Sequence, residues 1–156
     1  MELHTHAQTR IPLPREVVFD YATDVTRLSQ AFRGAGPIPA IQKAHILGDG
    51  RMTQGAVRRI QNSDGSVIDE QIVTHTRPER HTYRLPGGFK FPFNLLVREA
   101  EGDWVFADQD GGTSIVWRYR FRLTSPLAWV LAAPIIHVWF KQAMQRCLDR
   151  IQSGMK

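Results

Sequence analysis

The most regular alternation in the chain runs from Thr113 to Leu123. Ile115, Trp117, Tyr119 and Phe121 fall on one side, and Val116, Arg118, Arg120 and Arg122 on the other. A period of two predicts a strand with one buried and one wet face. Glu2–Ile11 alternates in the same way, with Leu3, Thr5, Ala7 and Thr9 opposite His4, His6, Gln8 and Arg10. Between Gly55 and Leu85, three runs rich in β-branched and aromatic residues are separated by Asn62-Ser-Asp-Gly65 and Arg77-Pro-Glu79. These separators have turn chemistry, so the stretch predicts a three-stranded antiparallel meander. Further strands are expected at Ile41–Gly48 and from Asn94 to Ala107, the latter bent near Gly102.

Helical spacing occurs in two places. After Pro12 and Pro14, the residues Val17, Val18, Tyr21 and Ala22 form a stripe, and Asp24 caps a second short helix over Val25–Phe32 with Leu28 and Phe32 inward. At the other end, Ser125 and Pro126 open a long helix carrying Ile136, Phe140, Ala143 or Met144, Cys147 and Ile151. Pro134 either kinks this helix or splits off a first segment. Its apolar stretch Leu127–Phe140 has about fourteen residues, short of the ~20 of a membrane span, and is expected to be a buried core helix.

The order is therefore strand, two short helices, six strands and a long helix. It predicts an α+β fold in which a curved antiparallel sheet of about seven strands wraps the C-terminal helix, in one domain over 1–156. A curved sheet cannot meet one helix tightly along its whole length. The space left between them is where a ligand would sit.

The meander contains one anomaly. A three-residue loop, Ser63–Gly65, places Ile60 opposite Ile68, Arg58 opposite Glu70 and Ala56 opposite Ile72. The apolar face then carries an Arg and a Glu directly across from each other, which is costly unless they are paired or wet. A two-residue turn would instead pair Arg59 with Glu70 and reverse the faces. The first register stacks three Ile residues and is preferred. Arg58 and Glu70 are then either a polar spot in a cavity or a surface salt bridge. After Leu85, Pro86–Phe93 holds Phe89, Phe91 and Phe93 among turn formers, as a gate over the cavity or as a plug in the core edge.

Composition narrows the function. Hydrophobic residues at 42% and charged residues at 22% are those of a soluble globular protein. The net charge of +5 comes from 20 basic and 15 acidic residues that are interspersed. Nothing here suggests a nucleic-acid partner. Cys147 is the single cysteine, which excludes an internal disulfide and fits a cytoplasmic setting. His4 and His6 share a face but have no third ligand at a suitable spacing, so no metal or cofactor is expected. No Ser/His/Asp order or phosphate loop is visible.

The ordered set Val18-Phe-Asp-Tyr-Ala-Thr-Asp24, Gly55-Ala-Val-Arg58, Asp64-Gly65 with Glu70, Pro78 with Tyr83, and Gly112-Thr113 with Trp117 resembles the helix-grip superfamily. That superfamily includes birch-pollen-allergen-like proteins, steroidogenic-acute-regulatory lipid-transfer domains and small bacterial polyketide cyclase/dehydrase-like proteins. The resemblance covers nearly the whole chain. It implies an apolar cavity for a lipid, polyketide or fused-ring compound, and a Glu70 that looks into it. The Gly/Phe/Pro-rich loop after Leu85 departs from the gate of plant hormone receptors, so no receptor partner carries over.

The expected ligand-binding residues are Arg58, Glu70, Ile72, His81, Tyr83, Phe89, Phe91, Phe106, Trp117, Tyr119, Ile136 and Phe140. A non-catalytic carrier or sensor of a hydrophobic small molecule is the first expectation. The second is a cyclase or dehydratase, with Glu70 as base, Arg58 stabilising enolate charge and Tyr83 or His81 donating a hydrogen bond. The third is an accessory domain docking on another protein through Arg118, Arg120 and Arg122.

Overall fold

A computed structural model describes residues Met1–Lys156. The chain forms a single seven-stranded sheet: β1 (Glu2–Ile11), β2 (Ile41–Ile46), β3 (Val57–Asn62), β4 (Val67–Thr76), β5 (Arg80–Leu85), β6 (Val97–Gln109) and β7 (Gly112–Leu123). Their spatial order is β1-β7-β6-β5-β4-β3-β2, and every pair is antiparallel. The chain thus starts at one edge, crosses to the other, and returns strand by strand to pair β7 with β1. This is the helix-grip α+β architecture.

The register of the meander is the one the Ile pattern favours. Arg58 pairs with Glu70 and Ile60 with Ile68, and the Ile72 amide donates to the Ala56 carbonyl. The turn closes with the Gly65 amide donating to the Asn62 carbonyl. Gly65 sits at φ 86, a conformation that costs glycine little and other residues more.

The crossover from β1 to β2 holds α1 (Arg15–Ala22), a 3₁₀ turn at Val25–Arg27 and α2 (Leu28–Ala31). The Asp24 carboxylate accepts from the Thr26 amide and caps the turn, as its position implies. The inward face of α1 differs from the expected stripe. Val18, Phe19 and Ala22 are buried, while Val17 is 49% exposed. Phe19 decides the phase, because its ring packs edge-on against Phe106 at 4.9 Å.

The segment after Leu85 also differs from expectation. Phe93–Leu96 closes one helical turn, α3, and the strand begins only at Val97. The C-terminal helix starts at Ala128 rather than Pro126, with the Ala128 amide donating to the Ser125 hydroxyl at 3.3 Å. It runs for 27 residues as α4 (Ala128–Pro134), a π-helical stretch (Ile135–Phe140) and α5 (Lys141–Gly154). Pro134 is the last residue of a first α-helical segment, as one of the two expectations had it; the helix continues without a break, with wider hydrogen bonding just beyond it.

The concave face of the sheet carries the core. Ile115, Trp117, Tyr119 and Phe121 are all buried. Trp117 stacks on Trp104 at 4.4 Å, and Phe121 meets Phe140 of the helix edge-on at 4.9 Å. Met144, Leu148 and Ile151 of α5 close the far side. The apolar stretch Leu127–Phe140 is only in part the buried core helix expected: Ala128, Ala132, Ala133 and Ile136 are buried, but its other side is not. Leu127, Val130, Leu131 and Val138 are all more than half exposed. No helix is long and apolar enough to cross a membrane.

Candidate functional site

Between the sheet and the π-helical stretch lies a cavity of about 150 Å³. Of the 28 residues lining it, 20 are hydrophobic, so its contents must be mostly apolar. The volume is that of a site for about one aromatic ring. A fused-ring compound or a lipid needs the walls to move apart.

Arg58 and Glu70 form the polar spot. They are adjacent on β3 and β4, point to the concave face, and are only 4% and 5% exposed. Arg58 Nε donates to Glu70 Oε1 at 2.7 Å. The guanidinium also lies over the Tyr83 ring, 4.8 Å from its centroid. Burial opposes the Arg58 charge, but Glu70 beside it prevails and the pKa is raised. The surface salt-bridge alternative is thereby excluded.

β5 contributes His81 and Tyr83 to the same wall, both buried. Trp104 Nε1 donates to the Tyr83 hydroxyl at 3.4 Å. Burial pushes the phenols of Tyr83 and Tyr119 up from their ordinary value. His81 Nδ1 and His75 Nδ1 are 3.1 Å apart, so one donates and the other accepts. Burial, with Arg58 and His75 nearby, lowers the His81 pKa to about 2. His81 Nε2 and Trp117 Nε1 have no hydrogen-bond partner. Two orphaned polar atoms on one cavity wall are unusual, since buried polar groups are normally satisfied.

Most of the expected residues do reach the cavity. Phe89 stands at its edge, Trp117 and Tyr119 form its floor, and Ile136 and Phe140 come from the helix. Three do not. Ile72 is packed into the core beyond the cavity, Phe106 is taken up by Phe19, and Phe91 is 73% exposed. The Phe-rich loop is thus split. Phe89 and Phe93 face the cavity and Phe91 faces out, which is neither a full gate nor a full plug.

Several lining residues were not among the expected site residues. Trp104, Phe32, Asn62, Lys90 and Cys147 come from five separate segments that only the folded chain brings together. Trp104 could have been found from β6, because it shares the inward parity of Ala100 and Phe106.

The arginine row of β7 lies on the convex face. Arg120 is bonded to Glu101 and lies 3.4 Å from Glu2, and Arg122 is 2.9 Å from Glu99. Glu99 also accepts from Arg84 at 2.5 Å. Neighbouring acids largely neutralise this face.

Residues 2–155 match the Polyketide_cyc2 family, described as polyketide cyclase / dehydrase and lipid transport. No curated protein matches the sequence. Ara h 8.0201 superposes with a TM-score of 0.70 at 19% identity, covering 99% of this chain and 98% of its own. Norcoclaurine synthase from Thalictrum flavum, in complex with dopamine and hydroxybenzaldehyde, gives 0.71 at 13% identity over 100% and 89%. The di-domain ARO/CYC protein BexL, from the BE-7585A biosynthetic pathway, gives 0.73 at 17% identity, with this chain spanning half of it (99% and 50%). At such identities the likeness establishes the fold alone.

Proposed function

Because the chain belongs to the polyketide cyclase / dehydrase and lipid transport family, we propose that it carries or senses a hydrophobic small molecule held between the sheet and the C-terminal helix. The observation that carries this reading is the mostly apolar cavity with the buried ion pair Arg58–Glu70 in its wall. The ligand is an apolar ring compound with one polar substituent. A free carboxylate on the ligand would compete with Glu70 for Arg58. A hydroxyl or carbonyl instead adds a hydrogen bond without disturbing the pair, and this favours a neutral polar group.

A cyclase or dehydratase is the second reading, supported by the same cluster of Arg58, Glu70 and Tyr83. Acid–base catalysis works best with a group that titrates near the operating pH. His81 is held far below that range, and Tyr83 and Tyr119 above it. Glu70 is already engaged by Arg58. These states favour binding over turnover, and the carrier ranks first.

Native mass spectrometry after incubation with a panel of apolar ring compounds separates the two. A bound compound of unchanged mass supports the carrier. A compound that has lost water supports the enzyme. A Glu70→Gln variant with unaltered affinity and unaltered turnover overturns the role given to the ion pair.

A further inference from the structure

β4 breaks step at one place. Ile68, Glu70 and Ile72 alternate onto the concave face, and Thr74 would follow. The pairing with β5 instead shifts between Ile72 and Thr74, which leaves Val73 as an extra residue and sets His75 opposite His81. A bulge of this kind re-aims a side chain. Here it turns His75 toward His81: the rings are nearly perpendicular, at 88°, and the two Nδ1 atoms lie 3.1 Å apart. Strict alternation would have given His81 a threonine there.

The two rings have different surroundings. His81 lines the cavity, is buried, and has no partner at Nε2. His75 stands behind it, outside the lining, and is only half-buried, so it exchanges protons with the solvent. From α1, Phe19 packs on His75, and Asp20 lies near it while accepting from Arg77 at 2.7 and 2.9 Å, with Glu16 close to Arg77. From β3 comes Arg58, paired with Glu70. From β5 come His81 and, beyond it, Tyr83. β6 contributes only the uncharged Trp104 and Phe106. Burial lowers the His75 pKa from its ordinary value, Asp20 raises it and Arg58 lowers it again. His81, at about 2, stays neutral while His75 titrates.

With both rings neutral, one hydrogen is shared between the two Nδ1 atoms. If His81 donates it, His81 Nε2 is a bare acceptor. If His75 donates it, His81 Nε2 must carry a hydrogen of its own. A buried N–H without an acceptor is the costlier orphan, and the positive Arg58 nearby opposes it further, so the first arrangement prevails. A charged His75 carries hydrogen on both nitrogens and permits only the second. The net change is one proton taken up. The shared hydrogen passes to His75 Nδ1, and His81 gains one at Nε2 from water that enters when the cavity walls part.

We propose that His75 is a positioning residue that sets the tautomer of His81, so that the cavity offers an acceptor at neutral pH and a donor in acid. The neutral form selects a ring compound whose polar substituent is a hydroxyl. The acid form selects a carbonyl or ether oxygen. The ligand claim rests on the cavity being a binding site; the tautomer claim does not.

The test has two parts. Long-range proton–nitrogen correlation spectra of the histidine-labelled protein, from pH 8 to 4, read which nitrogen of His81 carries hydrogen. It is expected on Nδ1 at pH 7.5 and on Nε2 once His75 is charged. A His81 hydrogen that stays on one nitrogen while His75 titrates, or a His75 that remains neutral down to pH 4, overturns the proposal. Affinities for phenol and for its methyl ether, anisole, are then compared at each pH by calorimetry. Phenol should bind about fivefold more tightly at pH 7.5, and this ratio should fall by about threefold or more in acid. A ratio independent of pH overturns the ligand claim. His75→Phe, with a circular dichroism spectrum like the parent's, should hold the ratio constant, and a ratio that still changes also overturns it. A tautomer change without binding of either probe supports the role of His75 and counts instead against the cavity reading.

Discussion

The ring of Tyr83 occupies the space where a side chain on Gly102 would begin. The two residues are paired across β5 and β6, and a Cβ on Gly102 would lie 2.3 Å from the ring. This gap in the β6 surface lets Tyr83 lie flat under Arg58 and reach Trp104. Gly102→Ala is expected to displace the ring and destabilise the fold by about 1–3 kcal/mol. A lowered thermal midpoint, together with weaker ligand binding, checks it. A midpoint equal to the parent's would mean that the sheet yields there at no cost.

The Arg58–Glu70 pair should behave as a buried ion pair does. Removing one charge, as in Glu70→Leu, strands the other and is expected to cost about 3–5 kcal/mol. Replacing both, Arg58→Met with Glu70→Leu, should recover most of that loss while ligand affinity stays low. Urea unfolding of the single and double variants measures the coupling. Additive effects would place the two charges in contact with water.

Stability should fall on mild acidification. His81 has a folded pKa near 2, against about 6.5 when unfolded. Below pH ~6.5 the unfolded chain takes up a proton that the native chain refuses, so stability drops by up to about 1.4 kcal/mol per pH unit. The His75 pKa is lowered as well, mainly by burial, and adds in the same direction. Unfolding midpoints at pH 7, 6 and 5 should decline, and His81→Phe should flatten the decline by about one proton's worth. A midpoint that is constant over this range contradicts the burial of a neutral imidazole.

Cys147 should be inert while the protein is folded. It is 1% exposed, and burial pushes its thiol up to about 12. Reaction with an aromatic disulfide reagent at neutral pH is expected to be at least about a hundredfold slower than in denaturant. Because Cys147 also lines the cavity, a bound ligand should slow it further. Rapid labelling of the native protein would show that the cavity opens readily.

Much of the sheet was legible in the sequence, because alternation and turn chemistry act locally. The Asn62–Gly65 turn and the stacking of Ile60 on Ile68 were enough to orient Arg58 and Glu70. The helices were harder. Eight residues of α1 allow two nearby faces, and the choice depends on Phe106, which lies far along the chain. Phe91 and Phe89 look alike in sequence and separate only when the loop closes. Leu127–Phe140 reads as core because hydrophobicity alone does not say which side of a helix meets the sheet.

The wide turns at Ile135–Phe140 change the phase of the C-terminal helix. A stretch bonded five residues apart instead of four sets the helix after it out of step with the helix before it. Positions in α4 and α5 therefore cannot be drawn on one wheel. The first half is free to turn an oily side outward while the second keeps Met144, Leu148 and Ile151 against the sheet. One helix thus behaves as two surfaces joined by a phase shift. A deletion of one residue within that stretch would be felt mainly as a rotation of α4, carrying Leu127 and Leu131 to a new bearing while the grip of α5 on the sheet stays as it is.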